Sequence, residues 1–287
     1  MSDSPLKSET INSEPSALLP AEAADFRDTV LSWSRANPRQ LPWRETRDPY
    51  AILVAEIMLQ QTQADRVVRK YSRFLDIFPD FTTLSRTPLP DLLAAWQGLG
   101  YNRRAVALKR CAEAVVSGHD ALLPDSVASL EKLPGIGHYT ARAVAAFAFN
   151  RPTVFIETNI RAVFIHHFCN DRDGVKDREL LPMIAAALDQ ENPRDWYNAL
   201  MDYGVMLKKV YRNPARRSAH HTTQSPFRGS NRELRSRILQ SLLTTPGMTA
   251  GELRAILDAD ESAVRTNLAQ MAKEGFLAGS EEGYRIR

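Results

Sequence analysis

Three stretches of this chain concentrate groups that chemistry can use. The first holds a carboxylate out of place. Glu56 lies within Tyr50 to Gln63, a stretch with helical period that is apolar on nearly every side through Ile52, Leu53, Val54, Ile57, Met58 and Leu59. A carboxylate so surrounded is costly unless it is paired or used. The plainer alternative is a glutamate on the one solvated face. The second is the turn Leu133-Pro134-Gly135-Ile136-Gly137-His138-Tyr139-Thr140-Ala141. Its glycines permit a positive φ and a close backbone approach. Its N–H groups, running into a helix N-terminus, form an anion site that suits a DNA phosphate. Alone, the same residues also describe an ordinary structural turn. In the third, the short apolar run Val154-Phe155-Ile156 ends in Glu157, and Thr158 is placed to cap the helix that follows.

Composition narrows the possibilities. A chain of 287 residues suggests two or three domains, and 44% hydrophobic residues suffice for a sizeable core. The formal charge of +3 is compatible with nucleic acid without requiring it. Two cysteines, Cys111 and Cys169, leave no spacing for a metal or cluster and are expected as buried thiols. No stretch has the length and apolarity of a membrane span, and the N-terminus lacks a secretory pattern, so a cytoplasmic, nucleoid-associated location is expected.

Helical periodicity dominates the elements that must carry these groups. Residues 1–22 read as a disordered tail. A helix follows from Ala23 through Phe26, Val30 and Trp33, then Leu41 to Arg44 as an extended loop. Helices are marked by Val67, Tyr71, Phe74 and Phe78, by Leu92, Leu93 and Trp96, and by Leu108, Ala112 and Val115; a second Gly-rich connection lies at Gly98-Leu99-Gly100-Tyr101. The helix behind the central turn spans Thr140 to Phe149. Later helices carry Leu180, Ile184 and Leu188, and then a long run opened by Asn192-Pro193. Residues 213–229 read as a basic linker in which His220 and His221 lack metal-ligand spacing to other donors. Residues 230–287 read as a separate small domain of three helices and a hairpin, a winged-helix pattern. The outward face expected of its third helix, Arg265, Asn267, Gln270 and Lys273, suits a DNA groove. Its nearly balanced charge suits a protein-facing or structural role equally well.

With these pieces placed, residues 41 to about 212 resemble the helix–hairpin–helix (HhH-GPD) DNA glycosylases, the superfamily of endonuclease III and the MutY-type adenine glycosylases. The matching stretches are LPWR (41–44), AEIMLQQTQ (55–63), WQGLGY (96–101), LPGIGHYTA (133–141) and FIETNIR (155–161), in the family's order. LPWR and AEIMLQQTQ point toward the adenine-glycosylase branch. The resemblance implies an all-α, two-domain glycosylase core over residues 23–212. In it a six-helix domain, about residues 50–155, is inserted into a second helical domain, and substrate DNA binds in the cleft.

The resemblance also implies roles. A base inside a duplex must be flipped out before it is cleaved. Glu56 would be the general acid, with a pKa raised by its apolar pocket. Glu157 stands where the family has an essential Asp, beside the cationic sugar. Tyr139 occupies the position where strand-cutting members carry a Schiff-base Lys, so a monofunctional reaction is expected. Pro134, Gly135, Ile136, Gly137, His138 and Thr140 would hold the DNA backbone. Gln60 would wedge the stack, Gln61 and Tyr101 would contact DNA, and Trp43 and Arg44 would line the base pocket. No organic cofactor is implied, and with no cysteine after Cys169 no iron–sulfur cluster is expected. A monovalent cation at the hairpin carbonyls fits the family, and the MutY-type C-terminal domain that reads 8-oxoguanine is not expected here. The function expected is a monomeric, monofunctional glycosylase of base excision repair acting on double-stranded DNA with a mispaired or damaged base, adenine foremost, and not at a membrane. A thymine or uracil mismatch glycosylase is the alternative within the class, and a non-catalytic lesion-binding protein the alternative outside it. A regulator led by the winged helix leaves Glu56 without a purpose.

Overall fold

The computed structural model describes residues 18–280 and 282–287. Residues 1–17 of the expected tail lie outside the described residues. The chain divides into two compact units. One takes the described residues up to Arg39 and then Asn150–His221; the other takes Gln40–Phe149 and Thr222–Arg287. The first unit is therefore discontinuous, interrupted by residues 40–149. No helix among the described residues is long and apolar enough to cross a membrane.

Numbered in chain order, the first unit holds α1 (Pro20–Ala36), α9 (Thr158–Phe168), α10 (Asp177–Ala187) and α11 (Pro193–Val210). The first helix starts at Pro20 and not at Ala23: proline is favoured in a helix's first turn, and Glu22 accepts the Leu19 N–H at 3.0 Å. Aromatic side chains fill this core, with Phe26 edge-on to Phe164, Phe168 and Trp196, and Phe155 stacked on Tyr197 at 3.9 Å. α11 packs along α9, and Gly204 is the reason it can. A Cβ there would meet the Asn159 carbonyl oxygen at 2.5 Å. The expected basic linker proves shorter than 213–229. Residues Pro214–Arg217 form a 3₁₀ turn with Pro214 and Ala215 buried, Val175 donates to the Arg217 carbonyl at 3.0 Å, and Ala219 donates to the Val175 carbonyl at 2.9 Å. These backbone bonds hold the start of that segment on the first unit.

The second unit is built around α2 (Pro49–Leu59). Asp48 caps it, accepting the Tyr50 and Ala51 N–H groups at 3.0 and 3.4 Å, and Pro49 opens it. Every residue from Tyr50 to Met58 is buried, as an all-round apolar helix requires. α3 (Ala64–Ile77), α4 (Phe81–Arg86), α5 (Leu89–Trp96), α6 (Arg103–Gly118), α7 (Val127–Leu130) and α8 (His138–Phe149) complete the inserted part. The expected helix over Tyr50–Gln63 ends early, because Gln60 turns extended and Gln61 adopts a left-handed φ of 53°. Leu41–Arg44, expected extended, instead closes a 3₁₀ turn at Pro42–Arg44, with the Arg44 N–H on the Leu41 carbonyl at 2.9 Å.

α12 (Asn231–Thr244), α13 (Ala250–Leu257) and α14 (Glu261–Lys273) precede an antiparallel pair, β1 (Leu277–Ser280) and β2 (Gly283–Ile286), in register from Leu277 opposite Ile286. These residues are not a separate body: they cluster with residues 40–149 in one unit. Glu274 ties them there. It accepts Arg103 of α6 at 2.6 and 2.9 Å and Arg235 of α12 at 2.5 Å.

One buried side chain joins the end of α2 to the Gly98–Tyr101 connection. The Arg104 guanidinium donates to the carbonyls of Ile57, Met58 and Gln60 at 2.9, 2.7 and 2.6 Å through one nitrogen. Through the other it donates to the Leu99 and Gly100 carbonyls at 3.1 and 2.9 Å and to the Thr62 hydroxyl at 3.1 Å. It thus supplies the donors that a helix C-terminus lacks. Burial pulls its pKa down to about 10, so it stays charged at neutral pH.

Two outcomes test this construction. Arg104→Met should cost about 3–5 kcal/mol in urea unfolding, and Arg104→Lys should restore little, because an ammonium cannot span both sets of carbonyls. Gly204→Ala, which in an open helix would stabilise by about 1 kcal/mol, should instead lower the melting temperature.

Candidate active site and nucleic-acid interface

The second unit brings Glu56, Tyr139, Gln60 and Thr140 together, because α2 packs against α8. Glu56 is only 7% exposed, which removes the reading of a solvated glutamate. The Tyr139 hydroxyl, from the second residue of α8, donates to the Glu56 carboxylate at 3.4 Å. One turn beyond Glu56, the Gln60 amide donates to the Thr140 hydroxyl at 3.2 Å, and Thr140 itself is buried. The acid and the turn at the end of its helix are both fastened to the first turn of α8.

That first turn begins two residues earlier than the Thr140 start expected from the sequence. His138, expected outside the helix, is its first residue. N–H groups at a helix start have no intrahelical partner and point outward. Gly135 has φ 77°, and a Cβ there would lie 2.6 Å from the Ala107 Cβ of α6, so only glycine fits this close approach. Pro134, Gly135, Gly137 and His138 are exposed, as a phosphate grip needs. Ile136 is not part of such a grip: its side chain is in the core and its N–H already donates to the Leu133 carbonyl at 3.1 Å. An acid also stands at the rim. Glu131 takes Arg142 at 2.7 Å and His138 at 2.9 Å.

Trp43 is half-buried, edge-on to Tyr71 at 5.6 Å, with Arg44 beside it in the 3₁₀ turn that packs against α2 and α3. Gln61 is exposed, and Tyr101 holds a left-handed φ of 48°. The Tyr101 hydroxyl accepts Arg232 at 2.7 Å and also the Gln224 amide, so the C-terminal part of the chain covers it. Of the α14 residues expected to face a DNA groove, Asn267 is buried and donates to Asn231 at 2.7 Å and to the Ala263 carbonyl at 2.8 Å; Arg265 pairs with Glu261 at 3.1 Å. Lys273 instead shares a cleft of about 460 Å³ with Pro134, Gly135, Arg103 and Arg110, beside the hairpin.

In the first unit Glu157 itself is the N-cap of α9, the place that Thr158 was expected to fill. Its Oε1 accepts the Asn159 and Ile160 N–H groups at 2.7 and 3.0 Å, and its Oε2 accepts the Asn159 side-chain amide at 3.2 Å. A carboxylate does this better than a hydroxyl because it also meets the helix dipole. Burial raises its pKa, against the opposing pull of those hydrogen bonds and of the Lys208 charge. Burial in turn lowers the pKa of Lys208, whose partner charge is Glu157. In the sequence Lys208 is one of a run of cations; only the fold reveals that it faces a carboxylate. Both cysteines are buried thiols, and burial pushes Cys111 up to about 12.

Residues 54–182 match the model of the HhH-GPD superfamily of base excision DNA repair proteins. Relatives include the adenine DNA glycosylase of Mycobacterium tuberculosis, 35% identical over 198 residues, covering 68% of this chain and 64% of that protein. The adenine DNA glycosylase of Homo sapiens is 31% identical, covering 65% of this chain and 36% of the human protein. The chain thus spans less than two thirds of the length of these relatives. Among solved structures, a thermostable thymine-DNA glycosylase matches with a TM-score of 0.59 at 26% identity, over 67% of this chain and 90% of that one. A non-covalent endonuclease III–DNA complex shares the fold, with a TM-score of 0.55 at 19% identity over 73% of this chain and 91% of that one. An apolar helix carrying one buried acid, fastened to a glycine hairpin, is therefore found within a matched family segment, and residues 54–182 of the chain belong to the HhH-GPD superfamily.

Proposed function

We propose that this protein is a monofunctional DNA glycosylase of base excision repair that hydrolyses the N-glycosidic bond of a flipped base in double-stranded DNA, with adenine as the base. The observation that carries this reading is the Glu56 carboxylate, buried in an apolar helix with the Tyr139 hydroxyl on it, directly beside a hairpin shaped for phosphate. Relatives named adenine DNA glycosylase in bacteria and in human support adenine over thymine or uracil.

Cleavage needs a proton on the departing base and negative charge near the cationic sugar. Glu56 is the proton donor, and the Tyr139 hydroxyl fixes which way its carboxyl faces. Glu157 holds the position of the charge-stabilising acid, its carboxylate oriented by the start of α9. Tyr139 has no amine to form a Schiff base, so the product is an abasic site and an intact strand. Gln60 enters the stack as the base leaves it, and the outward N–H groups at the start of α8 take a phosphate. A monovalent cation at the hairpin would share carbonyls such as those of Leu133 and Gly137, which already accept the Ile136 and Ala141 N–H groups and keep a second lone pair.

Single-turnover assays on duplexes carrying A opposite 8-oxoguanine, A opposite G, T opposite G and U opposite G should show nicking at the adenine only after hot alkali. Glu56→Gln should slow it by about 10²–10⁴-fold. Nicking without alkali would refute the monofunctional reading, and preference for T or U would reassign the base. For Glu157 the pKa in the folded state lies above the ordinary 4.5. The folded protein then holds this proton more tightly than the unfolded chain, and the stability it contributes is complete below 4.5 and lost as pH rises through the raised value. Urea unfolding should accordingly show Glu157→Gln gaining on the wild type between the acid side of 4.5 and neutral pH.

A further inference from the structure

The first unit holds a cation that its salt bridges do not use. Glu157 caps α9 with both carboxylate oxygens engaged by Asn159 and the Ile160 N–H. α11 meets that cap at Gly204, where a Cβ would lie 2.5 Å from the Asn159 carbonyl oxygen and 2.8 Å from its Cβ. Lys208 stands one turn on from Gly204, on the same face of α11. Its side chain is half-buried, whereas its neighbour Lys209 is exposed. The charge acting on the Lys208 ammonium is that of Glu157, and Lys208 is in turn the foremost charge acting on Glu157.

Other ionisable groups around α9 are engaged elsewhere. Arg161, on α9 itself, pairs with Asp177 of α10 at 2.7 Å. Asp202 of α11 takes Arg39 at 3.5 Å, and the Tyr197 hydroxyl of α11 donates to the Thr153 carbonyl at 2.7 Å. Arg217, in the 3₁₀ turn, donates to the Ile165 carbonyl at 3.1 Å, and His166 and His167 lie in the last turn of α9. Lys208 makes no hydrogen bond or ion pair among the described residues, so it reaches Glu157 through charge alone.

Stability does not account for this arrangement. A half-buried ammonium loses hydration, and an ion pair repays that only when it closes with good hydrogen bonds. A well-packed apolar side chain of similar volume would serve the fold as well or better. Favouring the dipole of α11 requires only an exposed cation in its last turn, which Lys209 supplies. What Lys208 adds is positive charge beside a carboxylate whose burial favours the neutral acid, a form that could not balance a cationic sugar.

We propose, resting on the glycosylase reading above, that Lys208 is a positioning residue for the reaction: its ammonium, brought to the cap of α9 by α11, keeps negative charge on Glu157 where the cationic sugar develops.

Two measurements on the full chain test this. The first follows single-turnover base release from the duplex with A opposite 8-oxoguanine, enzyme in excess, across the acid and neutral range. Lys208→Met should slow release about tenfold on the acid side, with the deficit vanishing as pH rises, a displacement of about one pH unit. Lys208→Arg should follow the wild-type profile, and Lys209→Met, equal in charge lost but exposed, should not displace it. Slowing by the same factor at every pH would make Lys208 a packing residue and overturn the proposal. The second measurement needs no catalysis. It compares the urea-unfolding stability of chains with Glu157 and with Glu157→Gln against pH, first with Lys208 present and then with Lys208→Met. The contribution of Glu157 is lost as pH rises through its raised folded value, so without the ammonium the loss should run on to higher pH, again by about one unit. If both losses end at the same pH, Lys208 does not act on Glu157 and the proposal fails. A wild type that releases no base at any pH refutes the glycosylase reading, and the unfolding curves still support or overturn the action of Lys208 on Glu157. Lys208→Gln replaces Lys208→Met in both measurements if the latter does not fold.

Discussion

The candidate site of the inserted part depends on one guanidinium. A helix that ends inside a protein leaves carbonyls without donors, and α2 ends where its chain must turn sharply at Gln60 and Gln61. Arg104 resolves this by reaching across to three carbonyls of that end, while its other nitrogen holds the Leu99 and Gly100 carbonyls. The turn that presents Gln60 and the connection that presents Tyr101 are thereby fixed to each other. With the Tyr101 carbonyl, which takes the Nε–H at 3.4 Å, six carbonyls surround one planar cation, an arrangement that no neutral side chain reproduces. The cost of burying the charge is offset by hydrogen bonds at nearly every donor, and by the Trp96 and Tyr101 rings, whose centres lie 5.5 and 5.6 Å from the guanidinium carbon.

Much of the candidate site was legible in the sequence because it breaks local rules. A lone acid in an apolar helix and two glycines ahead of an Ala-rich helix stand out against pattern, and Glu56, Tyr139 and Gly135 emerged where the pattern put them. Residues that obey local rules while serving distant partners did not stand out. Arg104 reads as one of several cations at the head of α6, Lys208 as one of a basic run, and Gly204 as an indifferent residue in a long helix. Each gains its meaning from a neighbour far away in sequence: Ile57 and Met58, Glu157, and Asn159. Asn267 misled for the same reason. Helical phase put it with Arg265 on an outer face, but Asn231, the first residue of α12, pairs with it there.

The cap of α9 shows how a change of side chain can be absorbed. Glutamate is a longer cap than the aspartate the family resemblance leads one to expect, yet both helix N–H groups are met at ordinary distances and the neighbouring Asn159 amide holds the second oxygen. The added methylene is accommodated in the side chain's own path. The close seat of α11 at Gly204, against Asn159, keeps the start of α9 from shifting.

The position of Ala107 gives α6 a further significance. It touches Gly135 of the hairpin, and it lies one turn along the same helix from Arg104, which holds the Gln60 turn. An α-helix advances 1.5 Å per residue, so these two footholds are separated along the axis by about 4.5 Å. α6 therefore works as a ruler. The interval between the hairpin and the Gln60 turn is set by the pitch of a rigid helix, not by the play of a loop; in the proposed function, DNA held by both must conform to that spacing.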